Sequence, residues 1–124
     1  MLIGVLKEIK TREFRVGLVP ISVTELVRRG HQVLVETEAG QGIGADDAEY
    51  KAAGAEIASS AADVFARAEM IVKVKEPQPN EWVQLSSKQI LFTYLHLAAD
   101  APQAFGLAES GCTAIAYETI TDDA

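Results

Sequence analysis

Short β-rich runs alternate with longer helical patterns along this chain, and that alternation restricts its fold more than any other feature. Residues 2–6 (LIGVL) read as a first strand, and residues 20–29 as a helix with Pro20 in its first turn and Gly30 as its stop. Gln32–Glu36 reads as a second strand. The run Gly40-x-Gly42-x-Gly44 is a turn region, followed by a helix over 46–53 that ends at Gly54. Ser59 or Ser60 can cap a helix reaching Ala68, with Asp63 in its acidic first turn. The pattern then repeats: strand 70–75 stopped by Pro77, a short helix over 80–85, strand 89–96, helix 102–109 between Asp100 and Gly111, and strand 113–119. Five strands separated mostly by helices require parallel βαβ connections, with helices on both faces of the sheet. The nearly unbroken apolar strands agree, because a doubly covered sheet hides both strand faces. The predicted fold is a doubly wound α/β layer of flavodoxin-like or Rossmann-like type, without internal repeats or linkers.

Composition bounds the rest. A length of 124 residues suits one domain, and 48% hydrophobic residues can build a core, which excludes disorder. Eleven Lys and Arg against eighteen Asp and Glu give a net charge of −7. Nucleic acid binding would then need a local basic patch, yet the longest basic run is Arg28-Arg29. The single Cys112 can form neither an internal disulfide nor a cysteine-rich zinc site, which fits a reducing cytosol. Apolar runs such as 90–95 fall far short of a membrane span, and the N-terminus carries charge by Lys7. We therefore expect a soluble, cytoplasmic, single-domain chain with no membrane or nucleic-acid partner.

Ligands of open α/β sheets bind beyond the carboxyl ends of the strands. That edge collects the loop 7–15 with Arg15, then Lys75, His96 and Glu118. Taken singly, each has an ordinary explanation: a solvated loop arginine, a snorkelling lysine, a satisfied histidine and strand-end solvation. Together they acquire a chemistry. Arg15 offers a planar fork for a carboxylate, Lys75 can polarise a carbonyl or hold a carboxylate, and His96 titrates near neutrality and suits proton transfer. Glu118 is assigned to solvation. Gly40-x-Gly42-x-Gly44 lacks the spacing and the strand-one context of a dinucleotide loop. His31 reads as structural and Cys112 as a packed thiol. No metal constellation, P-loop or nucleophile elbow is present.

The sequence resembles the N-terminal part of the NAD-dependent alanine dehydrogenase family. GVLKEIKTREFRVGLVP (4–20), ELVRRGHQVLVETEAGQGIG (25–44), YKAAGAEI (50–57), VKVKEP (72–77), QILFTYLHLAA (89–99) and AIAYET (114–119) carry that resemblance in order. It implies that Arg15 and Lys75 bind the substrate, Arg15 at its carboxylate, and that Lys75 and His96 are catalytic, His96 as acid/base. L-alanine would be oxidatively deaminated to pyruvate and ammonia within a homo-oligomer. It also implies that residues 1–124 form a truncated substrate-binding domain, ending near 121–124 where the family's chain crosses into its NAD-binding domain. The chain alone is then expected to be inactive. Apolar surface left uncovered by the family's returning C-terminal segment would favour self-association. Transhydrogenase-type and saccharopine-dehydrogenase-type N-terminal domains are the alternatives, as is a non-catalytic binding or assembly module. TYLHLAA (93–99) favours alanine dehydrogenase over the transhydrogenase pattern.

Overall fold

The computed structural model describes residues 1–122, so the last two positions of the expected domain crossing lie outside the described residues. Six parallel strands form one sheet: β1 (Leu2–Val5), β2 (Gln32–Glu36), β3 (Glu56–Ala58), β4 (Met70–Val72), β5 (Ile90–Thr93) and β6 (Thr113–Ala116). Their spatial order, β3-β2-β1-β4-β5-β6, is that of the Rossmann fold. Helices α1 (Pro20–Arg28), α2 (Asp47–Ala52), α3 (Ala61–Arg67), α4 (Pro79–Trp82) and α5 (Ala101–Ser110) lie between them. Three helix starts are fixed by side-chain caps. Asp46 accepts from the Glu49 N–H at 2.9 Å, Ser60 from Asp63 at 3.2 Å and Asp100 from Gln103 at 3.1 Å.

The strand count corrects the expected five. β3 falls in a stretch that reads as a connection, because three residues are too few to show alternation. Pairing makes it a strand: Leu34↔Glu56, Val35↔Ile57 and Glu36↔Ala58 add it to the edge of β2. Strands expected to run to Lys75, His96 and Thr119 stop at Val72, Thr93 and Ala116. The expected helix over 80–85 sits instead at Pro79–Trp82.

Strand alternation splits the core into two layers. Leu34, Ile71 and Leu91 join Val64, Phe65, Leu85 and Leu107 under α3 and α5. Val5, Val33 and Val35 join Val23 and Tyr50 under α1 and α2. The second layer is uneven. Over β4 to β6 on that face, Met70, Ile90, Phe92 and Ile115 are only half-buried, beside an apolar groove of about 300 Å³.

Candidate active site

β1 and β4 are neighbours, and the chain winds away from them in opposite directions, which opens a crevice at their carboxyl ends. The segment after β4 carries a buried charge cluster. Lys73 is almost fully enclosed, with Nζ 3.2 Å from a carboxylate oxygen of Glu8 and 3.2 Å from one of Glu81. A buried ammonium requires such partners. Glu8 also accepts from the backbone N–H groups of Val74 (3.2 Å) and Lys75 (3.0 Å), and Glu81 accepts from the Gln78 N–H at 2.9 Å. From the other side, Tyr117 donates its hydroxyl to the Val74 carbonyl at 2.6 Å, and Thr93 donates to the Lys75 carbonyl at 2.9 Å. Residues 73–75 are thereby held by groups from the loop after β1, from α4, from β5 and from the turn after β6. Lys10 pairs with Glu76 across the same crevice.

This platform projects Lys75, whose Nζ lies 5.2 Å from the centroid of the Tyr94 ring. An ammonium at that distance over a ring face is held by the ring quadrupole. Tyr94 is also tied to His96: its hydroxyl is 2.5 Å from His96 Nδ1, and the two rings meet edge to face at 5.7 Å. His96 is exposed and left-handed, with φ 47° and ψ 49°. A non-glycine residue there is strained by roughly 1–3 kcal/mol and needs surroundings that enforce it. Glu118 does this, accepting from His96 N–H at 2.8 Å and from Leu95 N–H at 3.2 Å. Those backbone hydrogen bonds, that from His96 foremost, hold the Glu118 carboxyl below its ordinary range. Glu118 is thus exposed as the sequence suggested, but its carboxylate shapes the backbone under His96.

Arg15 reaches the same edge on the loop after β1. Two glycines let that loop close. A Cβ on Gly17 would lie 2.8 Å from the Val72 carbonyl oxygen, and one on Gly42 would overlap the backbone of Phe14. Arg12 has φ 64°, and the Glu13 N–H donates to the Lys10 carbonyl at 3.1 Å, turning Glu13 back towards Arg15. Glu13 accepts from Arg15 Nε at 3.0 Å, Nη2 at 2.7 Å and the backbone N–H at 2.9 Å. These bonds, with the Lys75 charge adding to them, hold the Glu13 carboxyl at about 2. A cavity of about 310 Å³ opens beside Arg15, lined also by Lys7, Glu8 and Gln41.

The three residues selected from sequence therefore share one edge. Lys75 and His96 meet through Tyr94, and the Lys75 charge is the last of the influences that lower the Glu13 carboxyl beside Arg15. Lys75 and His96 do not line the cavity beside Arg15. Sequence reasoning missed Glu8, Lys73, Glu81, Glu13 and Tyr94. The one signal available was Lys73 itself, a lysine flanked by valines in an apolar strand. A larger cavity of about 480 Å³ lies beside Glu38, Asp46 and Asp47, an acidic lining that repels a carboxylate. His31 lies near the N-terminal amine and Cys112 packs against the core. Among the described residues no cluster of His, Cys, Asp or Glu could hold a metal ion, and no helix is long and apolar enough to cross a membrane. Among the described residues, the loop after β1 does not have the form of a dinucleotide-binding loop. The loop after β1 is charged and runs to Val19 before a helix starts, and Gly42 admits the Phe14 backbone.

Residues 4–124 match the family model described as alanine dehydrogenase/PNT, N-terminal domain. The chain is 54% identical over 121 residues to an alanine dehydrogenase of Halomonas elongata, covering 98% of this chain and 33% of that protein. A solved L-alanine dehydrogenase superposes with a TM-score of 0.96 at 54% identity, covering 99% of this chain and 34% of its own. A transhydrogenase from Sinorhizobium meliloti superposes at 0.89 with 31% identity, covering 98% and 37%. The chain spans about a third of the length of the curated relatives it matches.

Proposed function

The chain belongs to the alanine dehydrogenase/PNT N-terminal domain family, and from that premise we propose that residues 1–124 supply substrate binding and proton transfer to an NAD-dependent alanine dehydrogenase. The observation that carries this reading is the placing of Arg15, Lys75 and His96 on one sheet edge, with Lys75 and His96 joined through Tyr94. Glu13 uses the Nε–Nη2 edge of Arg15, which leaves Nη1 to take a substrate carboxylate. Lys75 faces the 2-oxo or 2-amino carbon and stabilises negative charge on the carbonyl oxygen of pyruvate. His96 works through Nε2, because Nδ1 is engaged by Tyr94. Water adding to the protonated imine loses a proton to Nε2, which returns it to the amino group of the resulting carbinolamine. As the C–N bond breaks and ammonia departs, Nε2 takes up the hydroxyl proton and the carbonyl of pyruvate forms. Hydride removal needs an acceptor that these residues do not hold, so this chain's part is binding, orientation and proton transfer.

We extend the proposal to L-alanine and pyruvate as ligands, NAD as the intact protein's cofactor, a cytoplasmic location and a homo-oligomeric assembly. Pyruvate should bind the chain weakly, and Arg15→Ala should weaken that binding by roughly tenfold or more, the scale of a charge-assisted bond. Calorimetry giving the same affinity for both proteins contradicts the assignment. The chain alone should not form NADH from L-alanine and NAD, and measurable turnover by pure protein would show that it binds NAD productively by itself.

A further inference from the structure

We propose that Glu13 is the positioning residue for Arg15: it grips the inner edge of the guanidinium and aims the outer end at the substrate carboxylate. The proposal rests on the reading of Arg15 as the carboxylate site. Arginine carries five N–H donors in a rigid plane, so a carboxylate on one edge fixes the direction of the remaining donors. Glu13 occupies one edge, through Nε and Nη2, and adds a bond from the Arg15 backbone N–H, which locks side chain and main chain together.

Burial separates the two partners. The Glu13 side chain is 6% exposed, whereas that of Arg15 is 66% exposed. The anchoring group is thus enclosed by the loop and the presenting group faces solvent. The loop itself is constrained. Arg12 is left-handed, and Gly42 admits the Phe14 backbone between the anchor and its partner in sequence. With its carboxyl held at about 2, Glu13 stays anionic throughout the working pH range. An arginine ordered before the substrate arrives need not lose its rotamer freedom on binding.

Arginine Nε–H NMR and pyruvate titration of the chain, in wild type and Glu13→Gln, test the proposal. In wild type the Arg15 Nε–H should give a resolved, slowly exchanging signal. In Glu13→Gln it should move to the position of solvated arginines, and pyruvate affinity should fall roughly 10- to 100-fold, the range that small misplacements produce. Glu13→Asp, which keeps the charge but withdraws it by one methylene, should fall between the two. Higher pyruvate affinity in Glu13→Gln would mean that Glu13 competes with the substrate, and this overturns the proposal. So does unchanged affinity, or weaker binding with an unmoved Nε–H signal. If Arg15→Ala binds pyruvate like wild type, the assignment of Arg15 itself fails, and the positioning role falls with it. If only the Glu13 variants behave like wild type, the Arg15 assignment stands and the positioning role alone is lost.

Discussion

Two sets of charges lie a few residues apart at the carboxyl edge of this sheet, and they do different things. Glu8, Lys73 and Glu81 are buried, and their hydrogen bonds go to one another and to the backbone of 73–78. Arg15, Lys75 and His96 point outward, and their contacts leave donors or ring atoms unused. The first set builds a platform and the second is presented on it. Removing a charge from the platform should therefore mainly destabilise the protein, whereas removing one from the presented set should mainly weaken binding.

Lys73→Met attacks the platform most directly, because it strands two carboxylates in the core. Breaking a buried ion pair from one side costs about 3–5 kcal/mol, and a chemical denaturation curve should show that loss. Arg15→Ala is the counterpart. Its denaturation midpoint should fall far less than that of Lys73→Met, since only the pairing of an exposed guanidinium with Glu13 is lost, while its pyruvate affinity falls roughly tenfold or more. A stability loss as large as that of Lys73→Met would erase the distinction between the two sets.

Acid should erode the carboxylates that tie down the loops at this edge. Glu13 is held at about 2, and Glu118 and Asp47 are also lowered, by hydrogen bonds from Arg15, the His96 backbone and Thr37 respectively. The unfolded carboxyls titrate near 4, so below that pH the unfolded chain binds more protons than the folded one. This stabilisation is complete above about 4.3 and is lost as pH falls towards 2. Denaturation midpoints across that window should decline less steeply in Glu13→Gln. Tyr94→Phe is the mildest change. It keeps the ring beneath Lys75 and removes only the hydroxyl at Nδ1, so stability should drop by about 1 kcal/mol or less. Imidazole ¹⁵N shifts of His96 should nonetheless move.

The same division explains what the sequence discloses. β2 matches its expected bounds because Val33-Leu34-Val35 is an unbroken apolar run, and α5 is bracketed by Asp100 and Gly111. β3 escapes notice because its hydrogen bonds to β2, and not any pattern of its own, make it a strand. Arg15, Lys75 and His96 lie in the segments that follow the carboxyl ends of strands, which topology alone makes suspicious, and a family resemblance singles them out. Their supports are hidden for a different reason. Glu13 reaches Arg15 through a left-handed Arg12, Tyr94 reaches both Lys75 and His96 beyond the end of β5, and Lys73 finds Glu8 across 65 residues. Partners chosen by chain reversal or long-range packing leave no local spacing to read.

The division between platform and presented cations is tested most directly by a pyruvate titration of the ¹⁵N-labelled chain followed by backbone amide shifts. Shifts confined to residues 7–15, 73–76, 94–97 and 117–118 are the predicted result, since that is where the outward cations and their platform meet. Shifts centred on Glu38, Asp46 and Asp47, or no shifts at millimolar pyruvate, would contradict it.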